Sequence, residues 1–126
     1  MNNRFLFIGS IFGFLAVVFG AFGAHALKEV LTTTQLNSFE TAVRYQMYHA
    51  LLLLFVNSYS KFSKKIQKNC SLLISIGVIL FSGSIYAIAL GTIPAKYIWF
   101  ITPLGGLLLI TAWLLLAISF YRSKRT

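Results

Sequence analysis

The residues able to do chemistry in this chain gather in one short run, Glu40-Thr41-Ala42-Val43-Arg44-Tyr45-Gln46-Met47-Tyr48-His49, with His25 some way before it. Glu40 and Arg44 are four apart with the acid first, the favourable order for an intrahelical ion pair. Tyr45 and His49 have the same spacing on roughly the opposite side, and Gln46 lies between, in line with Asn57 further on. Such groups would serve as an ion pair, a proton relay or a set of interhelical hydrogen bonds. Two histidines also raise bis-histidine haem ligation. The levels disagree, however, because His25 ends one apolar stretch while His49 lies two or three turns inside the next, an offset of about 9 Å or more. Zinc lacks third and fourth ligands at suitable spacing. There is no nucleophile elbow, phosphate loop or dinucleotide fingerprint, so the sequence calls for no catalytic residue, no metal and no cofactor. An acid–base or redox role would fall to His25 and His49, with Tyr86 as partner.

What must position these residues is four apolar stretches, at about 5–27, 41–60, 70–91 and 97–121, which fill almost all of the 126 residues. Each has the roughly 20 residues a helix needs to cross a hydrocarbon core of about 30 Å. Within lipid only helices or closed barrels satisfy their own backbone, and continuous apolar runs exclude the alternating barrel strand. The expectation is an all-α, four-transmembrane-helix bundle forming one domain over residues 1–126. At 58% hydrophobic and 10% charged, the composition excludes a water-soluble core. Arg4 and the segment to Ala24-His25-Ala26 imitate a secretory signal, but the apolar run exceeds a signal's usual 7–15 residues and reads as an uncleaved first span. The single cysteine, Cys70, excludes an internal disulfide.

Net charge is +9, and its placement decides its meaning. Arg4, Lys61, Lys64, Lys65, Lys68, Arg122, Lys124 and Arg125 fall at one side of the expected bundle, against Lys28, Arg44 and Lys96 at the other. Lys and Arg accumulate in short cytoplasmic segments, so both termini and the Lys61–Lys68 connection are expected in the cytoplasm. Membrane lipids are then the partners of these charges, not nucleic acid. Arg44 lies one turn inside the boundary, where it can snorkel outward beside Glu40. His49, about 12–16 Å deep, cannot. A neutral His49 bonded to a carbonyl or serine of the first or third helix is favoured over a proton carrier or ligand.

Small residues supply the packing. Gly9, Gly13, Ala16, Gly20 and Gly23 recur at four and three, one stripe of the first helix, where another backbone can approach. Gly83 is expected to do the same in the third helix. Pro103 with Gly105 and Gly106 marks a helix start capped by Thr102, or a kink, packed against the first or third helix. Before it, Tyr97 and Trp99 are expected as an interfacial anchor. Asn37 with Glu40 has the spacing of a cap at the start of the second helix.

Gly20-Ala21-Phe22-Gly23-Ala24-His25, the T-x-x-x-Y-Q-x-x-H run from Thr41 to His49, Leu80 to Tyr86, and Thr102-Pro103-Leu104-Gly105-Gly106 with Trp113 resemble the YgdD/YwdK family of small bacterial membrane proteins. That family is classed as a domain of unknown function (423) and is similar to eukaryotic transmembrane protein 256. The resemblance implies a four-helix protein of the bacterial cytoplasmic (inner) membrane with no known activity. It marks His25, Tyr45, Gln46, His49, Ser82, Ser84, Tyr86 and Thr102 as family positions, while Glu40 and Arg44 fall outside the pattern. The polar positions are expected to meet in one hydrogen-bond cluster in the outer half of the membrane. The functional expectation is a non-enzymatic bundle acting by association, as a homo-oligomer or in a larger membrane complex. The alternative is a proton or solute conduit along the second helix.

Overall fold

The computed structural model describes residues 3–124. Arg125 lies outside them, as do the side chains of Ala24 and Lys124. Four long helices carry the fold. α1 is Asn3–Leu27, its α-helical part Asn3–Val18 passing through a π-helical turn, Phe19–Gly23, into a last turn, Ala24–Leu27. α2 is Thr33–Ser58, α3 is Lys64–Ala89 and α4 is Ile101–Lys124, with a single helical turn, Ala95–Ile98, before α4. At 1.5 Å per residue the 26 residues of α2 and of α3 reach about 39 Å. By length and apolar composition α1, α3 and α4 are able to cross a membrane. α2 falls short only in composition, through its polar first half.

Three boundaries differ from the sequence reading. α2 begins eight residues before the expected residue 41, because Thr32 and Gln35, not Asn37 and Glu40, form the capping box. The Gln35 amide nitrogen donates to the Thr32 hydroxyl at 3.1 Å, and the Thr32 amide donates to the Gln35 side chain at 2.9 Å. Two orphan N–H groups are satisfied reciprocally there. α3 begins at Lys64, not near residue 70, since the Ser63 hydroxyl accepts from the Ile66 amide and caps it. The fourth stretch is divided. Trp99 and Phe100 interrupt it, α4 starts at Ile101, and Pro103 sits in its first turn, where a missing N–H costs nothing. Thr102 is therefore inside the helix and does not cap it.

Neighbouring helices run antiparallel. Gly9 of α1 faces Ala50 and Leu54 of α2 while Gly23 faces Phe39. Gly77 of α3 faces Leu109 of α4 while Phe81 faces Gly105. The N-terminal end of α1, the Lys61–Lys68 connection and the C-terminal end of α4 thus share one end of the molecule. α2 and α3 form the central pair, with α1 packed chiefly on α2 and α4 chiefly on α3. Leu53, Val56, Cys70, Ile74, Val78, Leu109 and Ala112 make the core between them. The periphery is apolar too: Phe7, Phe14, Leu107 and Leu114 are each more than half exposed, a distribution suited to lipid and not to water.

The small residues of α1 meet α2 along its length, where a Cβ added to Gly9, Gly20 or Gly23 would stand 3.1–3.3 Å from Leu54, Val43 or Phe39, and Ala16 is buried. Gly105 is tighter. Its Cβ would press on the Phe81 backbone, so only glycine allows that crossing of α3 and α4. Gly106 leaves ordinary room beside the Phe81 ring. Gly83 does not act as a packing glycine, because nothing lies within 4 Å of where its Cβ would be. Gly77, one and a half turns earlier, takes that place, its Cβ position lying 2.7 Å from Leu109.

Candidate functional site

Of the polar positions expected in one cluster, Gln46 and Tyr86 do meet across α2 and α3, but the others do not all join them. They form separate ties between different pairs of helices, each set by which face of α2 the residue occupies. Gln46 faces α1 and α3. Its Nε2 donates to the Phe12 carbonyl of α1 at 2.8 Å, and its Oε1 accepts from the Tyr86 hydroxyl of α3 at 2.6 Å. One side chain thereby joins three helices. The Tyr86 ring is held edge-on by Phe19 and tilted against Phe39, both with centroids 5.3 Å away. Phe19 opens the π-helical turn of α1, so that irregular turn delivers the ring which steadies Tyr86.

One turn nearer the start of α2 than Gln46, Ser82 donates to the Ala42 carbonyl at 2.9 Å. Ser84 points elsewhere, to its own Phe81 carbonyl at 3.0 Å and to the Thr102 hydroxyl of α4 at 2.5 Å. The Thr102 hydroxyl is free for this tie because it caps no helix.

His49 is buried at 4% exposure, on the side of α2 toward α4. Its Nδ1 lies 2.7 Å from the Tyr45 carbonyl, a group that only accepts, and its Nε2 lies 3.1 Å from Trp113 Nε1, a group that only donates. The neutral tautomer with the proton on Nδ1 satisfies both contacts at once. An imidazolium would set its Nε2–H against the indole N–H. The expected partner on the first or third helix is therefore replaced by Trp113 of α4, and nothing in the spacing of the sequence could have paired residues 64 apart.

Tyr45 is 41% exposed and joins through its ring and carbonyl: the ring packs 4.9 Å from Phe81 and stacks on His49. His25 is exposed at the far end of α1 and takes no part in the ties. Both ring nitrogens of His49, in contrast, are engaged within the bundle. Among the described residues no ion pair joins Glu40 to Arg44. The Arg44 guanidinium donates instead to the Thr41 hydroxyl at 3.1 Å, on an exposed surface where it needs no buried counter-charge.

A second polar group, not anticipated as a tie, lies toward the Lys61–Lys68 end. Asn57 Nδ2 donates to the Leu53 carbonyl at 2.9 Å and to the Ser71 hydroxyl of α3 at 2.8 Å. Gln67 Nε2 donates to the Val56 and Tyr59 carbonyls, closing the C-terminal turn of α2. The signal for the first was present, since Ser71, Ser75, Val78 and Ser82 repeat at four and three along one face of α3. Between the two polar groups stand Ala50, Leu53, Ile74 and Val78, none more than 3% exposed. No group of three or more metal-ligating side chains occurs among the described residues.

Comparison with known proteins gives the chain a family. The family described as a protein of unknown function (DUF423) matches residues 19–106, which include Gln46, Ser82, Ser84 and Tyr86. A UPF0382 membrane protein of Haemophilus influenzae is 36% identical, over 98% of both chains. One from Staphylococcus haemolyticus is 39% identical over 94% of this chain and 95% of its own. The UPF0382 inner membrane protein YgdD of Escherichia coli is 35% identical, over 99% of this chain and 95% of its own. No solved structure matches.

Proposed function

The chain belongs to the DUF423 family of membrane proteins, and on that premise we propose that it is a non-enzymatic four-span bundle of the bacterial inner membrane, acting by association with other copies or with a larger membrane complex. In this reading α2 is the fourth span. Its polar first half crosses between α1 and α3, which supply partners for Gln46 and cover it from lipid, so a helix of modest hydropathy is stable there. Both termini and the Lys61–Lys68 connection face the cytoplasm, following the excess of Lys and Arg at that end.

One observation carries the proposal: each buried polar side chain at the family positions is already held by a neighbouring helix. Gln46, His49, Ser82 and Ser84 bond Phe12, Tyr86, Trp113, Ala42 and Thr102, leaving no convergent set of free groups for a substrate at these positions. Chemistry needs such groups at a shared cavity. What remains available to act is the outer surface. The conduit reading loses support from Ala50, Leu53, Ile74 and Val78, which stand between the two polar groups with the single small hydroxyl of buried Ser75 among them.

Gentle detergent extraction followed by native mass spectrometry tests the association. The expected result is a discrete oligomer or a co-purifying membrane protein. A clean monomer, together with proton flux in proteoliposomes that responds to His49→Leu, would replace association by the conduit.

A further inference from the structure

Lys61, Lys64, Lys65, Lys68 and Arg122 lie at the shared end of the molecule, whereas the two acidic side chains of the sequence, Glu29 and Glu40, lie elsewhere. Glu40 belongs to the opposite half of α2, and Glu29 follows the far end of α1. Lys64 and Lys65 occupy the first turn of α3, which holds no acidic residue. Cations there oppose the positive end of the helix dipole, a site that ordinarily favours an anion. The fold nonetheless sets them there, exposed, with Lys68 beside them.

Directly above them runs an apolar groove between α3 and α4, about 390 Å³, lined by Asn69, Leu72, Leu73, Ile76, Leu108 and Leu115. Its walls continue into the cations. On α3, Lys65, Asn69, Leu72 and Ile76 are spaced four, three and four, one stripe of the helix. On α4, Leu108, Leu115 and Arg122 are spaced by seven, again one stripe. Because Gly77 faces Leu109 and Phe81 faces Gly105, continuing that antiparallel register sets Lys65 level with the last turn of α4, where Arg122 is exposed. The two cations thus stand at the same mouth of the groove. From Lys65 to Ile76 the groove descends about 16 Å, close to half of a 30 Å hydrocarbon core.

We propose that this groove is a binding site for one anionic phospholipid, its phosphate held by Lys65, Lys68 and Arg122 and one acyl chain lying on Leu72, Ile76, Leu108 and Leu115. This rests on the reading of α3 and α4 as membrane spans. Charge selects the occupant. A zwitterionic lipid brings its own cation to a cationic mouth, and a second copy in the same orientation would set two such mouths against each other. An anionic headgroup supplies a counter-charge that neither Glu29 nor Glu40 brings to Lys65, Lys68 and Arg122, and the apolar walls confine the acyl chain attached to it.

The experiment is native mass spectrometry of the full-length protein taken from vesicles of equal phosphatidylglycerol and phosphatidylcholine with identical chains. One phosphatidylglycerol should be retained preferentially. Lys65→Gln with Arg122→Gln should weaken its retention about 30-fold, the change expected when two cations each contribute about 1 kcal/mol near an anionic surface. Leu72→Trp, which fills the groove without altering charge, should weaken it as well, whereas Lys96→Gln at the other end should not. Continued protection of the buried Cys70 from alkylation shows that each variant is folded. Equal retention of the two lipids overturns the proposal. So does loss on removing charge with full retention in Leu72→Trp, which would mean diffuse attraction without a site, and so does a dimer that buries the groove. Flotation with the vesicles separates the two levels: a protein that leaves the bilayer refutes the spans, whereas lost selectivity in a protein that stays refutes only the lipid site.

Discussion

Removing the Tyr86 hydroxyl isolates one tie. Tyr86→Phe keeps the ring between Phe19 and Phe39, both 5.3 Å away, and deletes only the 2.6 Å bond to Gln46 Oε1. Interhelical hydrogen bonds in a membrane protein average about 0.6 kcal/mol and reach about 1.7. Here the acceptor left behind belongs to Gln46, 4% exposed, and an orphaned buried acceptor adds its own desolvation cost. The expected loss is therefore in the upper part of that range, about 1–1.7 kcal/mol. Gln46→Leu should cost more than Tyr86→Phe because it also releases the Phe12 carbonyl tie. In the double mutant the second loss should shrink by the pair's coupling, about 1 kcal/mol. Cys70 supplies the assay: it is the only cysteine and is fully buried, so its alkylation in graded denaturant reports unfolding. Additive effects of the two substitutions, with Tyr86→Phe within about 0.3 kcal/mol of the parent, would refute the reasoning that this bond clamps the three helices.

The glycines should separate sharply in the same assay. Gly83→Ala meets open space and should be neutral or stabilise by about 0.5–1 kcal/mol through lower backbone entropy in the unfolded chain, whereas Gly105→Ala, driven into the Phe81 backbone, should destabilise by more than about 2 kcal/mol or prevent folding. His49→Leu, which leaves the Trp113 N–H without its acceptor, should lower the midpoint by about 1 kcal/mol, and Lys64→Ala on the exposed end should stay within about 0.5 kcal/mol; equal effects would remove the structural role assigned to His49. Reporters fused after residue 126 and, separately, before residue 1 should both report the cytoplasm, and opposite locations would contradict four spans.

Much of the architecture was legible because the bilayer restricts the choices. Long apolar runs permit little besides helices, and small residues at four and three mark the stripe of α1 where another backbone approaches, which the fold shows to be α2. Helix boundaries were legible only in part: Asn37 and Glu40 had the spacing of a cap, but the Thr32–Gln35 pair, equally local, closed first and lengthened α2 by about one and a half turns. The ties among polar residues were not legible in detail. A sequence gives the depth of a side chain within a span, and on depth alone Gln46, His49, Ser82 and Tyr86 belong together in one half of it. It does not give the azimuth of each helix about its neighbours, which is fixed by packing summed over the whole interface. Rotation of α2 turned Gln46 toward α1 and α3 and His49 toward α4, and left Glu40 and Arg44 near the surface without a shared bond. The same packing decided between glycines of one type in one helix: Gly77 lies under Leu109 because it faces α4, and Gly83, six residues on, has no close neighbour because it faces the space between α1 and α3. The sequence by itself determined that the chain must build helices for a membrane and which residues are small or polar enough to hold them; only the tertiary structure decided which helix each of them holds, since that depends on contacts between segments far apart in the chain.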